Sequence, residues 1–440
     1  MLTVRNRNLP YLARRVRSVT GRYGVGSAKA KARVRRCIRT LEPHGVLPTF
    51  ATPGRVIDGD PGFFRELSEG GAELAVHGYD HVSFRDLTPA GAREQFERAL
   101  NAFAHAGIPC DGFRCPYLSW TPELHAALPA AAFVYSSNEA IAWSLPAAEA
   151  AGAVFEQFGR FYGATPAERV VSTPRRVGGL VEVPASIPDD LQLCDGLALG
   201  EEGLRSAWVD ILQQVHSRGE LFAPLFHPES FDLLRPAVEE LLTAAGACRP
   251  AMWRTQLRDV ARWWVEKDGF STSLVRQDDG LRLELHCSDR ATVLVRDWEP
   301  SDAARPWDGR WSALEPRSVR IAAGPRPFVG AVGLEPATVA FLRDQGYVVD
   351  DSEDAQRCAL VLTPAELLDS PVALIDRIER SHGPLIRFSR WPDGAKSAFC
   401  FAGDLDALSL RDYAGRLDPR RRRASGRSQT EMSTTVRSPR

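Results

Sequence analysis

Glu73 to His81 reads ELAVHGYDH: a strand-like run, Glu73 to Val76, passes directly into two imidazoles, His77 and His81, four positions apart. Parallel α/β sheets and barrels carry their sites at the C-terminal ends of their strands, so both histidines are expected at the mouth of such a sheet. Outward from this stretch, residues 28 to about 265 alternate short apolar runs with amphipathic ones: Gly45 to Thr52, Pro61 to Glu69, Glu73 to His77, Thr88 to His105. That rhythm predicts a βα succession. Thr88 precedes a proline at the first helical position, Phe96, Leu100 and Phe103 recur at helical spacing, and Gly107 closes the helix. Further helices are expected at Leu204 to Val215, Leu233 to Ala244 and Leu257 to Val265, with the apolar run Leu221 to Phe226 leading into His227.

The pattern changes near Asp268. Thr272 to Arg276, Leu281 to His286 and Thr292 to Arg296 alternate apolar and polar residues at period two, and Asp278-Asp279-Gly280 joins the first pair. A small antiparallel β module is expected over 268–325, inserted after a main α/β part at 1–267. Helix Pro336 to Gln345 and strand Tyr347 to Val349 give 326–388 αβ character, and a further strand and helix are read at 389–417. The run 418–440, basic and rich in Ser and Thr, is expected to be disordered.

Among the 440 residues, 55 Lys and Arg oppose 56 Asp and Glu, a formal net charge of −1, which argues against nucleic acid as a partner. No apolar run of the ~20 residues needed for a spanning helix occurs, and the first residues lack the apolar stretch of a signal peptide. The expected location is cytoplasmic. The eight cysteines contain no C-x-x-C pair, so they are read as reduced structural thiols.

Two histidines at this spacing converge on one divalent cation when a carboxylate completes the set, although the bare H-x-x-x-H fits two structural histidines as well. Arg114 in GFRCPY and His227 in LFHPE stand after apolar runs in the same manner, and either alone reads equally as an ion-pair partner or a hydrogen-bonded wall residue. The succession GVLPTFATPG (45–54), ELAVHGYDHVSF (73–84), GFRCPYLSW (112–120) and LFHPE (225–229) resembles the polysaccharide deacetylase family, with the NodB-homology or carbohydrate esterase family 4 fold. The resemblance implies an α/β distorted barrel and a divalent metal, usually zinc. It implies His77 and His81 as metal ligands and Arg114 as the residue orienting a catalytic aspartate. Tyr117 would offer its backbone N–H to an oxyanion, and His227 would be the general acid.

The family opens with a strand ending in paired aspartates, yet residues 1–44 contain no Asp. The C-terminal stretch Ala395 to Leu410, AKSAFCFAGDLDALSL, resembles that element: an apolar run into Asp404 and Asp406. A circular permutation, with strand Ala398 to Ala402 inserted beside Val46 to Ala51, is preferred over a second, truncated tandem domain. Asp406 is then expected as the third metal ligand and Asp404 as the base. The spaced pair leaves these two roles exchangeable. The resemblance implies hydrolysis of an N-acetyl group on a carbohydrate or a sugar-containing envelope precursor. Hydrolysis of another small amide and a non-catalytic glycan-binding role are the alternatives. PASIPDD (184–190) reads as a Pro-Asp turn in preference to a wall of the sugar cleft, while Trp120 and Trp143 are read as either sugar-stacking or core residues. Tyr135 to Ser137 are expected near the site.

Overall fold

The computed structural model describes residues 19–128, 132–145, 159–277, 280–298, 304–321, 324–366 and 370–416. The expected tail at 418–440 and most of the Asp278-Asp279-Gly280 turn lie outside these residues. An α/β half-barrel of eight strands positions the site. In chain order its main elements are α1 (Ala28–Leu41), β1 (Thr49–Thr52), β2 (Glu73–Val76), α2 (Pro89–Ala106), β3 (Gly112–Phe113), β4 (Tyr135–Ser136), β5 (Arg175–Val177) and β6 (Leu180–Glu182). They continue with α3 (Glu201–Arg218), β7 (Leu225–Phe226), α4 (Phe231–Ala247), α5 (Leu257–Lys267), β8 (Ala402–Asp404) and α6 (Leu410–Gly415). The strand order is β7-β8-β1-β2-β3-β4-β6-β5. All neighbours are parallel except β5 with β6. Because parallel strands share one direction, β1, β2, β3, β4, β7 and β8 deliver the residues that come after them to a single rim.

Strand β8 comes from the far end of the sequence and lies between β7 and β1, with Ala402 level with Thr49 and Leu225, and Asp404 level with Ala51. Gly403 permits that fit, since a Cβ there would lie 2.7 Å from the carbonyl oxygen of Phe226. The single strand expected over Ala398 to Ala402 is divided: Ser397–Cys400 pairs with Leu221–Phe222 and Met252–Thr255 in a separate sheet, and β8 begins after Phe401. The run Leu221 to Phe226 divides in the same way. Both segments therefore pass from one sheet to the other together.

The expected helices form; α3, α4 and α5 extend two or three residues beyond an anticipated end, whereas the helix expected over Pro336 to Gln345 stops at Asp344. Thr88 caps α2 by accepting from the Gly91 N–H at 3.1 Å, and Gly107 closes it in the left-handed region at φ 69°. Phe96, Phe103, Phe113, Phe50, Phe226 and Phe401 join the aliphatic side chains of α1, α3 and α4 in one large core. Trp143 is fully buried there, and Trp120 packs on Phe96 and Phe113, so both serve the core. All eight cysteines are free.

Beyond α5, Ser271–Gln277, Gly280–His286 and Ser318–Ile321 form an antiparallel sheet. Val293–Arg296 pairs antiparallel with Leu385–Phe388, and Arg326–Ala331 pairs parallel with Val349–Asp350 and Cys358–Leu362. Thus a strand read into the β module is joined by main-chain bonds to a strand read into the αβ segment. Among the described residues no helix is long and apolar enough to cross a membrane.

Candidate active site

Four strand ends and the loop after β8 converge at the rim. His77 follows β2, and its Nδ1 donates to the Arg114 carbonyl oxygen at 2.8 Å. That bond fixes the tautomer and leaves Nε2 with a free lone pair. His77 Nε2 lies 3.5 Å from Asp406 Oδ1 and 3.8 Å from Asp404 Oδ2. His81 reaches the same carboxylate, with Nε2 3.0 Å from Asp406 Oδ1. Its backbone sits in the left-handed region at φ 50°, uncommon for a residue other than glycine, and the loop is held by Gln95. The Gln95 side-chain oxygen accepts from the N–H groups of Tyr79 and Asp80 at 3.0 and 2.9 Å. Asp80, the acid between the histidines, faces away and pairs with Arg55 and Arg98.

His77, His81 and Asp406 present ligand atoms that all lie within 4.8 Å of one another, and all three residues are buried. His77 Nε2 and Asp406 Oδ1 are buried without a hydrogen-bond partner. Desolvating such atoms is costly unless something pairs with them, and two imidazoles with one carboxylate are the donor set that suits a divalent ion such as zinc. The residues therefore fit a cation. Burial alone would raise the Asp406 carboxyl, but Arg416, His81 and His77 outweigh it and hold the group well below the usual carboxylate range.

Arg114 follows β3 and is buried. Its Nη1 donates to Asp404 Oδ1 at 2.9 Å, while Nε and Nη2 donate to the carbonyl and hydroxyl oxygens of Ser137 at 3.2 and 2.9 Å. Ser137 follows β4, where the sequence reading expected a residue near the site. One oxygen of Asp404 is thus fixed and the other is turned toward His77, an orientation suited to taking a proton. Tyr117 lies in a tight turn at φ 62° with its ring edge against the His81 ring, centroids 4.9 Å apart. It is 37% exposed and forms the outer wall.

His227 follows β7. Its Nε2 points into the cluster, 3.8 Å from Asp406 Oδ2, and its Nδ1 is bonded to Asp190 Oδ1 at 2.7 Å. Burial would lower this imidazole, but Asp190 outweighs it and raises His227 to about 9. The proton is therefore in place at neutral pH. Asp189 next door is raised to about 6, by burial first and then by Asp190, and it accepts from the Tyr162 hydroxyl at 2.8 Å. Asp190 has no assigned role in the sequence expectation, which prefers a solvated turn at this position. PASIPDD is the end of a parallel strand, Ala185–Ile187, carrying two buried carboxylates to the rim.

Residues 23–135 match the family model described as polysaccharide deacetylase. No curated protein matches the chain. Among solved structures, a candidate polysaccharide deacetylase from Mycobacterium smegmatis is 18% identical, covering 63% of this chain and 87% of that one at a TM-score of 0.42. Puue allantoinase is 14% identical over 53% and 72% of the two chains at 0.41. A family 4 carbohydrate esterase from Streptomyces lividans, in complex with acetate, is 17% identical over 49% and 81% at 0.28. Likenesses this distant carry no weight for the activity.

Proposed function

We propose, from the polysaccharide deacetylase match at residues 23–135, that the chain is a metal-dependent hydrolase removing the N-acetyl group of a carbohydrate or a sugar-containing envelope precursor. One observation carries this reading: His77, His81 and an aspartate some 325 positions later bring buried ligand atoms together, two of them, His77 Nε2 and Asp406 Oδ1, without a hydrogen-bond partner, beside an arginine-held second aspartate. His77, His81 and Asp406 would hold the cation. When bound, such an ion acts as a Lewis acid and lowers the pKa of water toward ~7. Asp404 takes the proton of the attacking water, and Arg114 holds that carboxylate in place. The Tyr117 N–H donates to the oxygen of the tetrahedral intermediate. His227, held protonated by Asp190, gives its proton to the departing amine.

The test is acetate release from N-acetylated oligosaccharides by the purified chain, before and after treatment with a chelator, together with elemental analysis. Acetate release that disappears on chelation and returns with added zinc is expected. Stoichiometric divalent metal without acetate release from any N-acetyl sugar would shift the activity to another small amide. Neither metal nor hydrolysis would leave a glycan-binding role.

A further inference from the structure

The proposed ligand set has a competitor within the same chain. Arg416, at the end of α6, places Nη1 2.9 Å from Asp406 Oδ2 and Nη2 2.9 Å from His81 Nε2, while its Nε lies 3.2 Å from His81 Nδ1. His81 Nε2 is the same ring atom that faces Asp406 Oδ1. An imidazole nitrogen has one lone pair, and it serves either a guanidinium N–H or a cation. Two positive centres at this spacing also repel strongly where water is scarce, and the Arg416 side chain is only 13% exposed.

The arginine is held by packing that belongs to neither histidine loop nor sheet. Ser409 caps α6 by accepting from the Asp412 N–H at 3.2 Å, and the Leu410 N–H donates to the Gly24 carbonyl oxygen at 2.9 Å. The Tyr413 ring lies against Tyr23, centroids 5.4 Å apart, and the Arg416 guanidinium sits over the same Tyr413 ring at 5.3 Å. With Arg416 inward, His77, His81, Asp404, Asp406 and His227 are all buried.

We infer that Arg416 is a tethered cation that neutralises Asp406 in the metal-free chain and is displaced by the metal. Loading then turns the guanidinium outward, loosens α6 from the 19–24 segment and opens the site, so that substrate access depends on metal occupancy. This inference rests on the proposed metal site.

Zinc affinity is measured by competition with a chromophoric chelator for the native chain, Arg416→Gln, Arg416→Lys and His77→Ala, each checked for native circular dichroism. Arg416→Gln is expected to bind zinc more tightly by about tenfold, within the ~5- to 150-fold span usual for coupling between sites. Arg416→Lys, which keeps the charge, should fall closer to native. In the native chain, zinc should also raise deuterium uptake across 409–416. If the native chain binds zinc and Arg416→Gln binds equally or more weakly, Arg416 is a fixed support of Asp406 and the inference fails while the metal site stands. If neither binds zinc better than His77→Ala, both fail.

Discussion

His227 shows how one neighbour sets the chemistry of a side chain. Burial would strip its proton, yet the Asp190 carboxylate at 2.7 Å reverses that and the group stays charged to about pH 9. His227→Ala is expected to keep native metal content and lose turnover by roughly 10²- to 10⁴-fold, the usual contribution of a general acid. Metal analysis alongside steady-state kinetics checks this, and unchanged turnover would remove His227 from the role. His227 was legible because a histidine directly after an apolar run stands where a buried strand ends at the rim. Asp190 was not, because proline followed by two acids has the composition of a solvated turn. The sign that separates the readings is the apolar strand before it, the same sign that drew attention to His77. Trp143 carries the opposite lesson: an indole near a rim satisfies the core before it serves a ligand.

At the scale of elements, period and capping located most helices, since Thr88, Gly107 and the Phe96 face act within a few residues of one another. Strands were harder to bound. The run Leu221 to Phe226 is continuous in sequence but changes sheets, and only its pairing with Ser397–Cys400 and β8 reveals the break. Helix α5 ends on a residue with a measurable consequence. Lys267 is buried, donates to the Asp344 carbonyl oxygen at 3.0 Å, and is pushed down by burial, against the pull of Asp344, to about 7 from 10.5. The folded chain thus binds this proton less well than the unfolded one, so unfolding takes up a proton between those values. Stability is fully penalised below about pH 7 and recovers as pH rises toward 10.5. Thermal melts from pH 6.5 to about 9.5 should therefore show Lys267→Met gaining most over native at the low end, with the difference narrowing upward. A difference independent of pH would show that Lys267 titrates normally.

For the whole molecule, residues from opposite regions of the chain meet at one rim. The sequence points toward this meeting by subtraction: residues 1–44 contain no aspartate, and one apolar run leading into two acids stands near residue 400. Strand β8 lies between β7 and β1, and Asp406 lies against His77 and His81. What the sequence could not convey is that Arg416 shares the site, because a lone arginine after a short helix has no distinguishing pattern. Nor did it convey the joining of Val293–Arg296 to Leu385–Phe388, a pairing across ninety residues with no local signature. Divalent metal content of the full-length chain with and without Asp406→Ala tests the proposed composite centre most directly. Native protein should carry one divalent ion per chain, and the variant, with unchanged circular dichroism, should carry none, because three ligands reduce to two. A folded Asp406→Ala protein that still holds stoichiometric metal would contradict the composite centre and remove Asp406 from the ligand set.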